Sequence, residues 1–232
     1  MPRQTPKTSR RASSRASSSI TSNATTGELL CELLRLFYVK GWVSGTGGGI
    51  CGVDEAGRVL MAPTGVHKER VGPADLFTVE AKSGEVLNRP KRPTLRLSEC
   101  SPIFCEIIRT KGAGSVMHSH ALSAVLAGDL AKGGDRLVFE QLEMLKGIKG
   151  ATNQDRHVVA IIDNTGYEPD LLHQMRTVLA QKDFEKSYCI IVRDHGAYIW
   201  GADIWETKRH AEIYHFLCEA TVARTQRRGA RS

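Results

Sequence analysis

Short apolar segments joined by tight turns are the feature of this chain that most restricts its fold. Residues 50–53 and 58–62 flank a turn that ends in glycine, and residues 187–192 and 197–200 flank a turn that contains His195. Such pairs predict β-hairpins, whose strands run antiparallel. Clear strand-helix-strand crossovers are fewer. The sequence therefore predicts an α/β fold with a predominantly antiparallel central sheet of seven or eight strands, covered by helices.

Five or six helices are expected between and after these strands. The first begins at Thr25, which forms a capping box with Glu28, and ends at Gly41, a residue suited to a left-handed C-terminal cap. The next begins with Ser101 as N-cap and Pro102 in the first turn. Further helices are predicted at residues 122–126, from about residue 170, and at residues 204–222.

The net charge of +7 is concentrated at the two ends of the chain. Residues 1–27 hold five basic side chains and residues 224–232 hold four, with no acid in either segment. The remainder has 23 basic and 25 acidic residues, which is no footprint for a nucleic acid. We expect a disordered Ser/Arg-rich tail at residues 1–26, with a targeting signal as the alternative, a folded domain at 27–223 and a basic tail at 224–232.

Membrane and secretory signals are missing from the pattern. No apolar run approaches the ~18 residues that a membrane helix needs, and the N-terminal segment lacks the apolar centre of a secretory signal. The six cysteines include no C-x-x-C pair. Without a secretion signal, reduced thiols are the default. The chain is expected to be a soluble cytoplasmic protein with no membrane partner.

A pair of histidines marks the strongest candidate site. Residues 115–120 form a predicted strand, and side chains two apart on a strand share a face, so His118 and His120 offer two imidazoles to one point. That is how a metal site begins, although the H-x-H spacing alone is weak evidence. His195 lies at the tip of a predicted hairpin, where a ligand is easily presented, but a lone loop histidine is more often a surface residue.

Two loops are candidates for anion binding. Four glycines occupy residues 45–49, including Gly48 and Gly49, and could expose successive N–H groups to an anion or simply form a flexible turn. Thr64, Gly65 and Lys68 follow a strand and suit a phosphate, although an ordinary exposed loop has the same composition.

Two further residues have equally open roles at this point. Cys100 precedes a helix, where the positive end of the dipole favours a polar or anionic contact, but an inert buried thiol is as well supported. Glu143, together with Glu140, fits an ordinary solvated helix face.

In combination, these motifs resemble the class II aldolase/adducin family over most of residues 28–220. The resemblance rests on the glycine loop at 45–49, on residues 63–66, on the histidine pair and on residues 193–196. Within that family, Cys100, Gln141-Glu143-Met144 and residues 146–150 are similar to sugar-phosphate dehydratases.

The resemblance implies a three-layer α/β/α sandwich and one Zn²⁺ per subunit, with Glu143 exchanging protons with the substrate and Cys100 lining the substrate pocket. The implied substrate is a small ketose phosphate, and family members typically form homotetramers. Iron, manganese or cobalt would also suit a three-histidine site. The implied zinc ligands are His118, His120 and His195, and the implied phosphate site comprises Gly48, Gly49, Thr64, Gly65 and Lys68.

Two features depart from a simple match. Glu99 lies 19 residues before His118, where the aldolases of this family place a catalytic glutamate. The glycine loop, in contrast, lacks the asparagine that those aldolases usually carry. The segment around Glu143, together with Cys100, favours a dehydratase. The alternatives are a zinc-dependent aldolase that cleaves a ketose phosphate and a non-catalytic adducin-like binding domain.

Overall fold

A single nine-stranded sheet forms the centre of the computed structural model, which describes residues 24–230. The strands are β1 Gly49–Val53, β2 Val59–Met61, β3 Phe77–Val79, β4 Val86–Asn88, β5 Ser115–Ser119, β6 Arg136–Phe139, β7 His157–Ile162, β8 Cys189–Val192 and β9 Gly196–Gly201. Their order in the sheet is β4-β3-β2-β1-β5-β9-β8-β7-β6. All neighbouring strands pair antiparallel except β7 and β8, which are parallel. The predicted mixed fold with a predominantly antiparallel sheet is confirmed.

Five α-helices pack against this sheet: α1 Thr26–Val39, α2 Ser101–Lys111, α3 Leu122–Asp129, α4 Leu172–Leu179 and α5 Ile204–Gly229. Short 3₁₀ helices include Glu143–Gly147 and Glu168–Leu171. Within residues 24–230, no helix combines the length and apolar composition needed to cross a membrane.

The ends of α1 agree with the sequence and the start of α2 does not. The Glu28 N–H donates to Thr25 Oγ1 at 3.3 Å and the Thr25 N–H donates to the Glu28 carboxylate at 2.8 Å, which completes the capping box. Gly41 has φ +74°, as its predicted role requires. In α2 the N-cap is Cys100 rather than Ser101, because the Cys100 carbonyl already accepts the first helical bond, from Phe104 N at 2.9 Å.

Two other predictions need correction. The edge strand β4 was not expected, since it has only three residues, none of them buried, and so shows no alternation. Helix α5 extends seven residues past the predicted end at Val222 to Gly229. There the Arg224 guanidinium donates to the carbonyls of Glu140 and Gln141, at 3.4 and 3.2 Å, which anchors the last turns. Residues 224–229 of the predicted basic tail are therefore helical, whereas residues 1–23 of the other predicted tail lie outside the described part.

The buried side chains form two hydrophobic clusters, and successive residues of β5 alternate between them. Val116 belongs to the cluster that includes residues of α2 and α4, and Met117 belongs to the cluster that includes residues of α1, α3 and α5. Burying one such aliphatic side chain stabilises the fold by about 1.5–3 kcal/mol. A slip of one residue would exchange the two faces, so this burial fixes the direction in which His118 points.

Candidate metal centre

Three histidines meet at the end of β5. The Nε2 atom of His118 lies 2.9 Å from His120 Nε2 and 3.2 Å from His195 Nε2, and the last two Nε2 atoms are 3.1 Å apart. His118 is buried, and the side chain of His195 is 14% exposed. The structure thus brings together the three residues for which a shared metal was implied.

The turn between β8 and β9 carries His195 to this point. Strand β9 pairs with β5, with Tyr198 opposite His118 and Ala197 opposite Ser119. A Cβ on Gly196 would lie 1.9 Å from the Ser119 carbonyl oxygen, and the residue has φ +155°. Only glycine fits this close approach, so Gly196 allows the turn to place its histidine against the other two.

The environment keeps the imidazoles of His118 and His120 neutral. Burial and the neighbouring His195 lower the pKa of His118 to about 3. Burial, followed by the neighbouring His118 and His195, lowers the pKa of His120 to about 3. The Lys68 ammonium adds to both effects. A neutral imidazole has a free lone pair, which is the form that binds a metal.

Partners on the far side of two rings direct their Nε2 atoms inward. His118 Nδ1 faces the Ala197 carbonyl at 3.3 Å, and His195 Nδ1 lies 2.9 Å from Asn164 Oδ1. A carbonyl only accepts, so His118 carries its proton on Nδ1 and leaves Nε2 unprotonated. Such oxygen partners are typical of metal-bound histidines.

The donor set fits a zinc-sized ion. With tetrahedral geometry and bonds of about 2.0–2.1 Å, ligand nitrogens stand roughly 3.3 Å apart, close to the separations of the three Nε2 atoms. The three ligand atoms lie within 4.8 Å of one another. Unprotonated ring nitrogens at such separations repel one another, and a cation among them removes that repulsion.

A carboxylate that the sequence analysis missed lies beside this cluster. Glu168 Oε1 is 3.2 Å from His118 Nε2 and Glu168 Oε2 is 3.4 Å from His195 Nε2, and the Glu168 side chain is 13% exposed. The same Oε1 accepts hydrogen bonds from the Tyr198 hydroxyl and, at 3.6 Å, from the Cys100 thiol. The strand topology could have indicated this residue. Because β7 and β8 are parallel neighbours, the loops that follow them, which carry Glu168 and His195, lie at the same edge of the sheet.

Cys100 is part of this contact and is a protonated thiol. It is 8% exposed, and burial and the nearby Glu168 carboxylate raise its pKa to about 12. Of the two interpretations left open for Cys100, the structure has the polar contact, to the Glu168 carboxylate with the thiol as donor.

The glycine loop packs against the histidine strand. Gly49 pairs with His118, and a Cβ on Gly48, which has φ +68°, would lie 2.8 Å from the His118 carbonyl oxygen. A Cβ on Gly47 would lie 2.4 Å from His120 Nδ1. Close approach to the metal centre therefore explains these glycines, whatever else the loop binds.

Lys68 joins the two predicted anion-binding loops. Its Nζ donates to the Thr46 carbonyl at 2.8 Å and to the Val66 carbonyl at 3.2 Å, and the residue is buried. In the second loop, the Thr64 N–H donates to the Arg96 carbonyl at 3.1 Å, and Gly65 is exposed with φ +67°. Burial lowers the pKa of Lys68.

The two acid/base candidates from the sequence lie outside the histidine cluster. The side chain of Glu143 is 71% exposed, and its carboxylate accepts from Lys146 Nζ at 2.7 Å and from Asn153 Nδ2 at 2.8 Å. The hydrogen bond from Lys146 lowers the pKa of Glu143. Glu99 is exposed and lines a surface cavity of about 520 Å³, together with Glu106 and Arg109.

A comparison with models of known protein families identifies the family of this chain. The family model described as the Class II Aldolase and Adducin N-terminal domain matches residues 28–222. The chain belongs to this family. The class II aldolase and adducin resemblance of the motifs is thereby confirmed.

Curated relatives of this family are similar to the chain. A methylthioribulose-1-phosphate dehydratase from Gallus gallus is 38% identical over 205 residues, which cover 85% of this chain and 83% of that protein. A probable bifunctional methylthioribulose-1-phosphate dehydratase/enolase-phosphatase from Sorghum bicolor is 37% identical over 208 residues, covering 84% of this chain. The chain matches only 40% of the length of that larger relative.

The fold is similar to that of an L-fuculose-1-phosphate aldolase from Thermus thermophilus. The two structures superpose with a TM-score of 0.65 at 20% sequence identity, over 90% of this chain and 100% of the other. At this identity the likeness supports the class II aldolase fold and not the reaction.

Proposed function

We propose that this class II aldolase and adducin family member dehydrates 5-methylthioribulose 1-phosphate to 2,3-diketo-5-methylthiopentyl 1-phosphate, a hydro-lyase step of methionine salvage. The observation that carries the proposal is the convergence of His118, His120 and His195 in a chain 38% identical to a dehydratase of that name. The histidine cluster supports the metal centre, and the similarity to that dehydratase supports the reaction.

The proposed cofactor is one Zn²⁺ per subunit, held by the three Nε2 atoms. When bound, the ion would polarise the C2 carbonyl of the substrate and acidify the neighbouring C3–H. The chain's own part is to present three imidazoles in fixed positions. Three protein ligands are typical of catalytic zinc sites.

Glu143 is proposed as the group that moves protons. Its hydrogen bond from Lys146 favours the ionised carboxylate, the form that can take the C3 proton. Returning a proton to the C4 hydroxyl lets that group leave as water, and the resulting enol tautomerises to the diketone. Since Glu143 is exposed, it is available to the metal centre of a neighbouring copy in an assembly.

The substrate contacts form the next part of the proposal. Cys100 is assigned to the substrate pocket beside the histidines, where its neutral thiol, which donates to Glu168 at 3.6 Å, can donate to a substrate oxygen instead. The phosphate is assigned to the loops that Lys68 joins, where the buried ammonium and nearby backbone N–H groups suit an anion. Their proposed contact residues are Gly48, Gly49, Thr64, Gly65 and Lys68.

We also propose a layer architecture, an oligomeric state and a cellular compartment for this protein. Successive residues of β5 belong to two different hydrophobic clusters, each of which includes residues of helices. This arrangement supports a three-layer α/β/α sandwich. A homotetramer in the cytoplasm, without nucleic acid or membrane partners, completes the proposal.

A product assay tests the reaction. Zinc-loaded protein is incubated with methylthioribulose 1-phosphate, and the products are identified by mass spectrometry. The proposal expects one product that has lost a single water and carries two adjacent ketones. Two-carbon or three-carbon fragments would instead establish the second candidate, an aldolase that cleaves a ketose phosphate, which the position of Glu99, 19 residues before His118, favours. The converging histidines argue against a non-catalytic binding domain.

A further inference from the structure

Glu168 has no role in the function proposed above, although its carboxylate is the acidic group nearest to the histidine cluster in the described part of the chain. Its two oxygens lie 3.2 Å from His118 Nε2 and 3.4 Å from His195 Nε2. Its side chain is mostly buried, at 13% exposure. A carboxylate has a large desolvation cost in such a place unless a positive charge compensates it.

His118 Nε2 and Glu168 Oε1 face one another at 3.2 Å, and both are hydrogen-bond acceptors. His118 keeps its proton on Nδ1, which faces the Ala197 carbonyl, so its Nε2 presents a lone pair. An ionised carboxylate has no proton to donate either. The lone pairs of Glu168 Oε1 and His118 Nε2 therefore call for a cation between them, and His195 Nε2 lies within 3.4 Å of the same carboxylate.

The carboxylate is held in this direction from its other side. The Tyr198 hydroxyl donates to Oε1, and the Tyr198 ring stacks on His118 with centroids 4.3 Å apart and planes 13° apart. The Cys100 thiol donates to the same oxygen at 3.6 Å. Burial raises the pKa of Tyr198 well above its usual range, so the phenol remains a donor. Outer partners of this kind orient metal ligands.

The loop that carries Glu168 also supports the ligand set. The Asn164 side-chain oxygen lies 2.9 Å from His195 Nδ1, and Thr165 Oγ1 donates to the Tyr167 carbonyl at 2.8 Å, just before the 3₁₀ helix that Glu168 begins. One short segment thus positions both an outer partner of a histidine and a carboxylate.

We propose that Glu168 is a ligand of the metal ion in the substrate-free protein, with a carboxylate oxygen in the position that the three histidines leave open. The inference rests on the metal centre of the proposed function and adds one ligand to it. Coordination by the carboxylate lowers the net charge at the ion from +2 to +1. A substrate oxygen must then displace the carboxylate to bind the ion.

Cobalt binding tests this ligand apart from activity. Full-length protein is stripped of metal and titrated with Co²⁺, and both the dissociation constant and the visible d–d absorption are recorded. Glu168→Gln is expected to weaken Co²⁺ binding at least tenfold and to change the position or intensity of the bands. Glu140→Gln is the control, because Glu140 is an exposed carboxylate paired with Arg156, and it should leave both readouts unchanged.

One more variant keeps the test decisive. If Glu168→Gln does not fold by circular dichroism, Glu168→Asp retains the charge and shortens the reach, and it should still alter the spectrum. Unchanged affinity and spectrum in a folded Glu168 variant would overturn the inference and leave the three-histidine centre standing. Failure of the unaltered protein to bind Co²⁺ or Zn²⁺ would overturn both.

Discussion

The histidine cluster and the segment around Glu143 differ in how completely the single chain builds them. The histidines come from β5 and from the turn between β8 and β9, and their Nε2 atoms lie within 3.2 Å of one another. Glu143 begins a surface 3₁₀ helix and has only Lys146 and Asn153 as hydrogen-bond partners among the described residues. Ligands of a metal must be fixed to within a few tenths of an ångström, and a sheet provides this. Glu143, the proposed proton-transfer group, instead lies on an exposed surface, so its contact with a substrate depends on which molecule approaches that surface.

Removing a histidine should have the largest effect. His118→Ala takes away the buried imidazole that contacts both other ligands, so we expect loss of bound zinc and a fall in activity of at least ~10⁴-fold. Zinc content by elemental analysis and turnover measure this. The control is His173→Ala, at an exposed position of α4, which should retain both. Full zinc content in His118→Ala would place the ion elsewhere.

Changing Glu143 should separate chemistry from metal binding. Glu143→Gln keeps the shape of the side chain and removes the base, so kcat should fall by about 10²–10⁴-fold with zinc content unchanged. Glu140→Gln, at a nearby exposed carboxylate, serves as the control. Near-normal turnover by Glu143→Gln would transfer the acid/base role, with Glu99 as the first alternative.

A smaller effect is expected at Lys68, which joins the two loops beside the metal centre. Lys68→Met removes a charged hydrogen-bond donor of the kind that contributes about 1.5–3 kcal/mol. KM for the sugar phosphate should rise roughly 10- to 100-fold, with a smaller change in kcat, as measured by steady-state kinetics. Exposed Lys82→Met should leave KM unchanged. A fall in kcat alone would contradict a binding role.

The smallest effect on activity is expected at His157, which lies in the strand paired with β6 just ahead of the Glu143 segment. His157 is buried against the Tyr214 hydroxyl at 2.9 Å, and burial, followed by the nearby His210, lowers its pKa from 6.5 to about 4. The unfolded chain therefore binds the extra proton first. The free energy of unfolding should fall as pH drops from about 6.5 towards 4, by up to about 3 kcal/mol from this residue.

Urea unfolding at pH 7 and at pH 5 measures that loss. His157→Gln retains a hydrogen-bonding group that does not titrate, so the difference in stability between the two pH values should be smaller in the variant. Activity at pH 7 should stay within about threefold of the unaltered protein. An equal pH dependence in both proteins would show that His157 is not the titrating group.

Most of the fold could be predicted from local sequence patterns, whereas the rest depends on contacts between residues that are distant in sequence. The antiparallel sheet followed from hairpin turns, and the capping box located α1, because both depend on residues close together in sequence. The extension of α5 escaped prediction because it depends on Arg224 reaching the carbonyls of Glu140 and Gln141, more than 80 residues away.

The same distinction applies to the metal centre. Strand alternation sufficed to put His118 and His120 on one face, and a hairpin turn presented His195. Glu168 was missed because its loop reaches the histidines only through the parallel pairing of β7 with β8, where Ile162 lies opposite Val192. The helix α4 lies between these two strands in the sequence, so no turn motif indicates that they pair.

Anomalous diffraction at the zinc absorption edge, from crystals of the zinc-loaded protein, tests the comparison most directly. The account predicts one peak per chain, about 2.0–2.1 Å from the Nε2 atoms of His118, His120 and His195. A peak elsewhere, or one bound by fewer than these three histidines, would contradict the claim that the fold of a single chain builds the metal centre.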